Sequence, residues 1–188
     1  MFENVRADTM RCIHRSGLVH AIDILRLLWA SEGFQVLLIY RFGRWLGRVR
    51  KYSFGWLIVI PLYPVYWMLS VCARKAYDIH LDQSADIAAG FYIHHFGGIE
   101  VRNCRIGSCC TIYQQVKLGP AEGADRGPVI GNGVFISAHT QIYADVRVED
   151  GATIGAGTVI TEDIPNNCLV LGNPSRIVQR NYDNSKFL

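Results

Sequence analysis

From Leu81 onward an aliphatic residue returns at every sixth position, through Ile87, Ile93 and Ile99. The phase then slips by one residue and resumes at Ile106, Ile112 and Leu118. A twelve-residue excursion follows, and the register continues through Ile130, Ile136, Ile142, Val148, Ile154 and Ile160. All thirteen positions are Leu, Ile or Val, and chance does not produce such a register. Glycine follows the aliphatic residue at Gly107, Gly119, Gly131 and Gly155. This is the signature of a hexapeptide β-helix. Each hexad supplies a short strand and a turn, and three hexads close one triangular coil. The aliphatic side chain points inward and stacks on its counterpart in the next coil. Small residues at Gly151, Ala152, Gly155, Ala156 and Gly157 suit the tight corners. Such a stack is a solenoid held by nearest-neighbour contacts, with capped ends.

The excursion, "LGPAEGADRGPVI", is rich in glycine, proline and charge, so residues 119–129 are expected to form an external loop. Long loops on rigid scaffolds often carry function. Residues 1–78 read differently. "GLVHAIDILRLLWA" and "SEGFQVLLIYRFGRWLGRVRKY" have helical spacing. The chain of 188 residues therefore divides into a helical, hydrophobic and basic region over 1–78, a β-helix over 79–178 and a tail over 179–188. The first region carries eleven Lys and Arg against five Asp and Glu, and the remainder carries eight against eleven. A basic segment is drawn to anionic surfaces such as phospholipid or phosphate ligands. No nucleic-acid motif accompanies it, and nucleic acid is not expected as a partner.

Tyr52 to Ala73 contains no charged residue and is flanked by Arg48, Arg50 and Lys51 before it and Arg74 and Lys75 after it. Three readings stay open for it. It is a cap packed on the solenoid and its oligomer partners, an element lying in a membrane interface, or a transmembrane span. Pro61 and Pro64 are expected to break or kink any helix there. Association with a membrane interface through residues 31–75 is the corresponding expectation, with the protein in the cytoplasm or at the inner face of the cell membrane.

Six cysteines are present, none in a CxxC pair, and no signal peptide opens the chain. Reduced thiols in a cytoplasmic protein are expected. Cys109 and Cys110 read as small hydrophobes, and no zinc-ligand spacing is found. "GFYIHHFGGI", Gly90 to Ile99, is different: adjacent His94 and His95 with glycines on both sides suggest a polar site approached closely by a ligand. Strand alternation puts the two rings on opposite sides. His139 reads as an exposed turn residue, and His14 and His20 as ordinary helix-surface residues.

"GFYIHHFGGI", "IGSCCTIYQQVKLG", "DRGPVIGNGVFISA", "GATIGAGTVITEDIP" and "LVLGNPSRIV" occur in that order. Together they resemble the serine acetyltransferase-like branch of the hexapeptide-repeat acyltransferases, a branch that includes O-acetyltransferases of exopolysaccharide synthesis. The resemblance covers residues 79–178. It implies a mainly β fold, a left-handed parallel β-helix behind an N-terminal α-helical region, assembled as a homotrimer. It implies acetyl-CoA as co-substrate, lying between neighbouring subunits, and no metal. It implies a histidine base in "HHFGG", matched by His95, with His94 in the place of an Asp. In the family an Asp precedes the first hexad aliphatic; here that position is His80, flanked by Asp78 and Asp82. The family loop ends Asp-Arg-His-Pro; here it ends Asp125-Arg126-Gly127-Pro128. These departures count against free serine and favour a saccharide hydroxyl in polysaccharide biosynthesis, with serine as the alternative acceptor.

The chemistry fits those residue types. A hydroxyl must lose its proton as it attacks a thioester, and a neutral imidazole accepts a proton near neutral pH. His95 is the expected base, with His94 as the alternative. Asp82, Asp78 or a backbone carbonyl would fix its tautomer. Gly97 and Gly98 are candidate oxyanion donors. Ser137, Ala138, Ala156, Gly157 and Thr158 sit one coil apart, where small side chains would leave room for the pantetheine arm of CoA. Arg126, Arg176 and Arg180 are candidates for CoA phosphates or acceptor charge, with Arg126, His80 and Asp78 toward the acceptor. Two further hypotheses are a non-catalytic trimeric β-helix scaffold and a covalent route through Cys109 or Cys110.

Overall fold

The structure, a computed structural model, describes residues 2–13, 21–95 and 97–187; His14 and His20 lie outside them. Strands begin at Ile79 and wind into three-stranded coils. The first coil is β1 (Ile79–Leu81), β2 (Asp86–Ile87) and β3 (Tyr92–Ile93). The second is β4 (Ile99–Val101), β5 (Arg105–Ile106) and β6 (Thr111–Ile112). The third is β7 (Lys117–Gly119), β8 (Val129–Ile130) and β9 (Phe135–Ile136). The fourth is β10 (Gln141–Tyr143), β11 (Arg147–Val148) and β12 (Thr153–Ile154). β13 (Cys168–Leu171) and β14 (Arg176–Arg180) follow, and β14 turns back antiparallel on β13 to close that end. Every third strand pairs in parallel, which makes three sheets, the faces of a left-handed β-helix.

The hexad residues form the core. Ile93, Ile112, Ile136, Ile154 and Val170 are in register on one face. Ile87, Ile106, Ile130 and Val148 are in register on the next. All nine are buried, and each contributes on the order of 1.5–3 kcal/mol of apolar transfer free energy. On the third face the register differs from the simple count. Leu81 pairs with Val101, Val101 with Leu118 and Leu118 with Ile142. Val101 is thus the hexad residue, and Ile99 takes the second inward position opposite Ile79. The step from Ile93 to Val101 is eight residues and the step from Val101 to Ile106 is five. The one-residue slip is therefore two extra residues at the 94–98 corner, partly offset by a shortened next turn. That corner holds both histidines.

Strand alternation supplies a second buried column two residues before the hexads: Phe91, Cys110, Val134, Ala152 and Cys168. Cys110 and Cys168 are therefore core residues.

Four helices precede the solenoid: α1 (Phe2–Cys12), α2 (Ala21–Ala30), α3 (Glu32–Val49) and α4 (Trp56–Tyr77). α1 was not expected from periodicity. Ser31 caps α3, its hydroxyl accepting from Phe34 N at 3.3 Å. α3 covers the open edge of the first coil, whose backbone groups have no preceding coil to pair with. Tyr40 OH donates to Ala85 O at 2.7 Å and accepts from Ile87 N at 3.3 Å. Arg41 donates to Ile87 O and Ala88 O, and its Nε lies 3.0 Å from Asp8 Oδ2. Asp8 Oδ1 accepts from Gly90 N and Phe91 N at 2.8 and 3.1 Å. Three side chains thus satisfy an edge that would otherwise be buried unpaired.

Pro61 and Pro64 do not break α4, which runs unbroken for 22 residues. Both prolines lie on its exposed side, away from the stripe packed on α3. The hydrogen bonds they remove are therefore lost at the surface rather than in a packed interface.

Candidate active site

The lengthened corner joins β3 to β4 and brings the third sheet to the first. It turns on Gly97 (φ 107°) and Gly98 (φ 62°). A Cβ at Gly98 would stand 2.2 Å from Gln115 Oε1. Gly98 N donates to Asp78 Oδ2 at 2.8 Å, so this amide, expected above as an oxyanion donor, is already engaged. Asp78, the C-cap of α4 at φ 52°, ties the helical region to the corner.

His94 and His95 are both exposed and do not point to opposite sides. His94 ends the strand and His95 stands in a bend, so alternation stops between them. Their ring centroids are 4.3 Å apart. His94 stacks on Tyr113 at 4.4 Å and 15°, while His95 meets that ring edge-on at 5.6 Å. Both line one cavity of about 280 Å³ with Tyr92, Cys12 and, from the start of α3, Ser31 and Glu32. Glu32 is a carboxylate that sequence reasoning missed. Its only signal was its place in the first turn of a helix whose docking on the corner could not be read locally.

The corners below continue the same edge. Gln115 N donates to Gly97 O at 2.8 Å, His139 N to Gln114 O at 3.0 Å, and Gly157 N to Ala138 O at 2.9 Å. Ser137, Ala138, Ala156 and Gly157 therefore lie on the edge that carries His94 and His95. Arg176, at the start of β14 and exposed, pairs with Leu171, whose side chain lies against Gly155 at the far end of that edge. Thr158 does not join them. Its side chain is fully buried and its hydroxyl accepts from Gly172 N at 3.2 Å, so it faces the coil interior. His139 is an exposed corner residue at φ 60°. Arg180 is exposed at the end of β14.

Asp82 and His80 go elsewhere. His80 Nε2 lies 3.5 Å from Asp82 Oδ2, and both line a separate cavity of about 260 Å³ with Tyr66, Trp67 and Arg74. Asp82 follows the far end of β1, roughly 13 Å along the strand from Asp78 at ~3.3 Å per residue. Partial burial pushes its carboxyl up, but hydrogen bonds from Ser84 and His80 outweigh this and hold it below the usual carboxylate range. Asp78, not Asp82, is the aspartate brought to the histidine corner. Arg126 is exposed on the 119–129 loop, which joins the first sheet to the second. It stands on a different edge from His95 within one chain. Asn103 Nδ2 donates to Asp125 O and pins the loop.

Cys12 is half-buried in the histidine cavity, where burial pushes its thiol up to about 12; the other five thiols divide by exposure. Cys104, Cys110 and Cys168 are buried, and burial pushes Cys104 and Cys110 up to about 12. Cys109 and Cys72 are exposed. Iodoacetamide is expected to label Cys72 and Cys109 in the native protein and to spare Cys104, Cys110 and Cys168, read by peptide mass mapping. Labelling of Cys110 at a comparable rate would return it to the candidates for a covalent route beside the exposed Cys109.

Residues 127–162 match the family model for the bacterial transferase hexapeptide (six repeats). A serine acetyltransferase of Synechococcus elongatus is 30% identical over 183 residues, covering 96% of this chain and 70% of that protein. The serine acetyltransferase structure from Vibrio cholerae superposes with a TM-score of 0.75 at 28% identity, covering 95% of this chain and 66% of that one. A Brucella abortus serine acetyltransferase solved in complex with Coenzyme A has the same fold, with a TM-score of 0.75 at 23% identity. The similarity thus runs along nearly the whole of this chain, and the chain belongs to the serine acetyltransferase-like family of hexapeptide-repeat acyltransferases.

Proposed function

We propose that the protein transfers an acetyl group from acetyl-CoA to an acceptor hydroxyl, with a histidine of the 94–98 corner as general base. One observation carries this reading. His94 and His95, then Gln114 and Gln115, then Ser137 and Ala138, then Ala156 and Gly157 occupy successive corners of a single edge, so the candidate base and the small residues of the last two corners lie in line. An elongated thioester laid along that edge would present its carbonyl to the imidazole. The Coenzyme A complex of the Brucella relative supports this donor. The residues present fit CoA: small side chains along the groove and Arg176 near its end for a phosphate. The base takes the hydroxyl proton as the oxygen attacks, and returns it to the departing thiolate. A homotrimer is the proposed assembly, because a neighbouring copy would bring its own 119–129 loop and Arg126 toward this edge. The cytoplasm is the proposed place of action, since it holds acetyl-CoA.

The relatives name serine, and L-serine is the acceptor they support; the saccharide expected from the sequence has no such support. One observation favours the saccharide as a second reading. Gly127 stands where the family loop has His, and a Cβ there would meet Asn103 O at 2.3 Å. The loop as folded has no room for a side chain at that position.

Thiol release from acetyl-CoA, followed with L-serine and then with a panel of saccharides, tests both. Serine-dependent release establishes the first reading. Release with a saccharide alone moves the acceptor to the second. No release with any hydroxyl acceptor overturns the proposal and leaves a binding scaffold.

A further inference from the structure

α4 buries only a narrow stripe. Leu62, Tyr66, Ser70 and Ala73 turn toward α3, while Trp56, Leu57, Ile58, Ile60, Tyr63 and Trp67 stand exposed. Only 11% of its most apolar stretch is buried. An apolar groove of about 380 Å³, lined by Leu28, Leu38, Phe42 and Leu69, connects this face to α2. There Ile22, Leu25 and Trp29 are exposed as well, Trp29 at 92%. A contiguous apolar face of this extent marks a partner surface.

Charge identifies the partner. Residues 33–77 contain seven Lys and Arg and no Asp or Glu. Arg41 and Arg44 are paired, with Asp8 and Asp86. Arg48, Arg50 and Lys51 are exposed at the α3–α4 turn, and Arg74 and Lys75 at the other end of α4. The apolar face is therefore bracketed by cations. Tyr52, Phe54 and Trp56, suited to an interface, stand beside the first cluster.

We propose that this face seats the protein on an anionic lipid surface, with α4 lying in the interface plane. A spanning α4 does not fit. Tyr66 OH accepts from Gln83 at 2.9 Å, and Arg44 Nη2 donates to Asp86 at 2.6 Å, so α3 and α4 are held to the first coil by polar contacts. A bilayer-spanning α4 would carry those groups into hydrocarbon. A second copy of the chain fits less well, because the two cationic rims would be brought together. The arrangement is that of an amphipathic monotopic anchor: apolar area for the acyl boundary and basic residues for the headgroups.

The test is flotation of the full chain with phosphatidylcholine vesicles and with 3:1 phosphatidylcholine–phosphatidylglycerol vesicles. The protein is expected to float with the anionic vesicles and to be released by salt. Reversing these charges (Arg48→Glu, Arg50→Glu, Lys51→Glu) is expected to weaken partitioning by about 100-fold or more. Ile60→Glu with Trp67→Glu is expected to abolish it at unchanged assembly size. A wild type that ignores both vesicles overturns the proposal. So does an Ile60→Glu/Trp67→Glu variant that floats like wild type. A wild type that ignores vesicles, and whose assembly shrinks with those two changes, gives the face to a second copy. Should the apolar variant lose its helical signal, the charge variant alone decides, because its residues are exposed, at the end of α3 and just after it.

Discussion

His95→Ala is expected to lower kcat for acetyl transfer by about 10²–10⁴-fold, the usual contribution of a positioned general base, with little change in KM for acetyl-CoA. His94→Ala is expected to cost less. The difference follows from how the rings are held. His94 lies flat on Tyr113, a stack that fixes its plane and covers one face. His95 meets the same ring only edge-on and stands in the bend. A base has to meet the acceptor oxygen with a nitrogen, and the less covered ring is the freer to do so. His94 then acts as a wall, keeping His95 turned toward the groove. Thiol release by both variants, at saturating and limiting donor, separates the roles. A kcat loss confined to His94→Ala would exchange the assignments. Equal wild-type rates in both variants would remove the corner from the chemistry altogether.

Much of this was legible because a hexapeptide coil is a local code. Each buried aliphatic is announced by its neighbours six positions away, so the strands, the loop over 119–129 and the corner glycines follow from spacing. Register failed at one place, Ile99 against Val101, because both residues are aliphatic and both face inward. Only pairing with Leu81 decides which is the hexad residue. The same two-residue bulge ended strand alternation and put both histidines in one cavity. Asp82 was overrated for a related reason: nearness in sequence to Leu81 says nothing about which end of a strand faces the corner. Glu32 was invisible, because helix and corner meet across a separation that no local pattern records.

The capping pair is where sequence separation hid the most energy. Asp8→Ala is expected to destabilise the protein by about 3–5 kcal/mol, the usual cost of removing one partner of a buried ion pair. Asp8 and Arg41 are 1% and 3% exposed. Burial pushes the Asp8 carboxyl above its ordinary range, against the opposing pull of Arg41 and the Phe91 and Gly90 amides. Deleting it strands the guanidinium and leaves those two amides without their acceptor. Arg41→Met strands the carboxylate and the carbonyls of Ile87 and Ala88. The double variant is expected to lose less than the sum of the two, since neither charge is then buried alone. Denaturant midpoints of the single and double variants measure the coupling. A loss under about 1 kcal/mol in Asp8→Ala would mean that the first coil needs no cap. The structure argues otherwise: each later coil pairs with its predecessor, whereas the backbone of the first coil at Ile87, Ala88, Gly90 and Phe91 is met by Asp8 of α1 and Arg41 of α3. That coil also carries β3 and the histidine corner. Fraying there is therefore expected to lower acetyl transfer at temperatures where the later coils still show their β signal by circular dichroism.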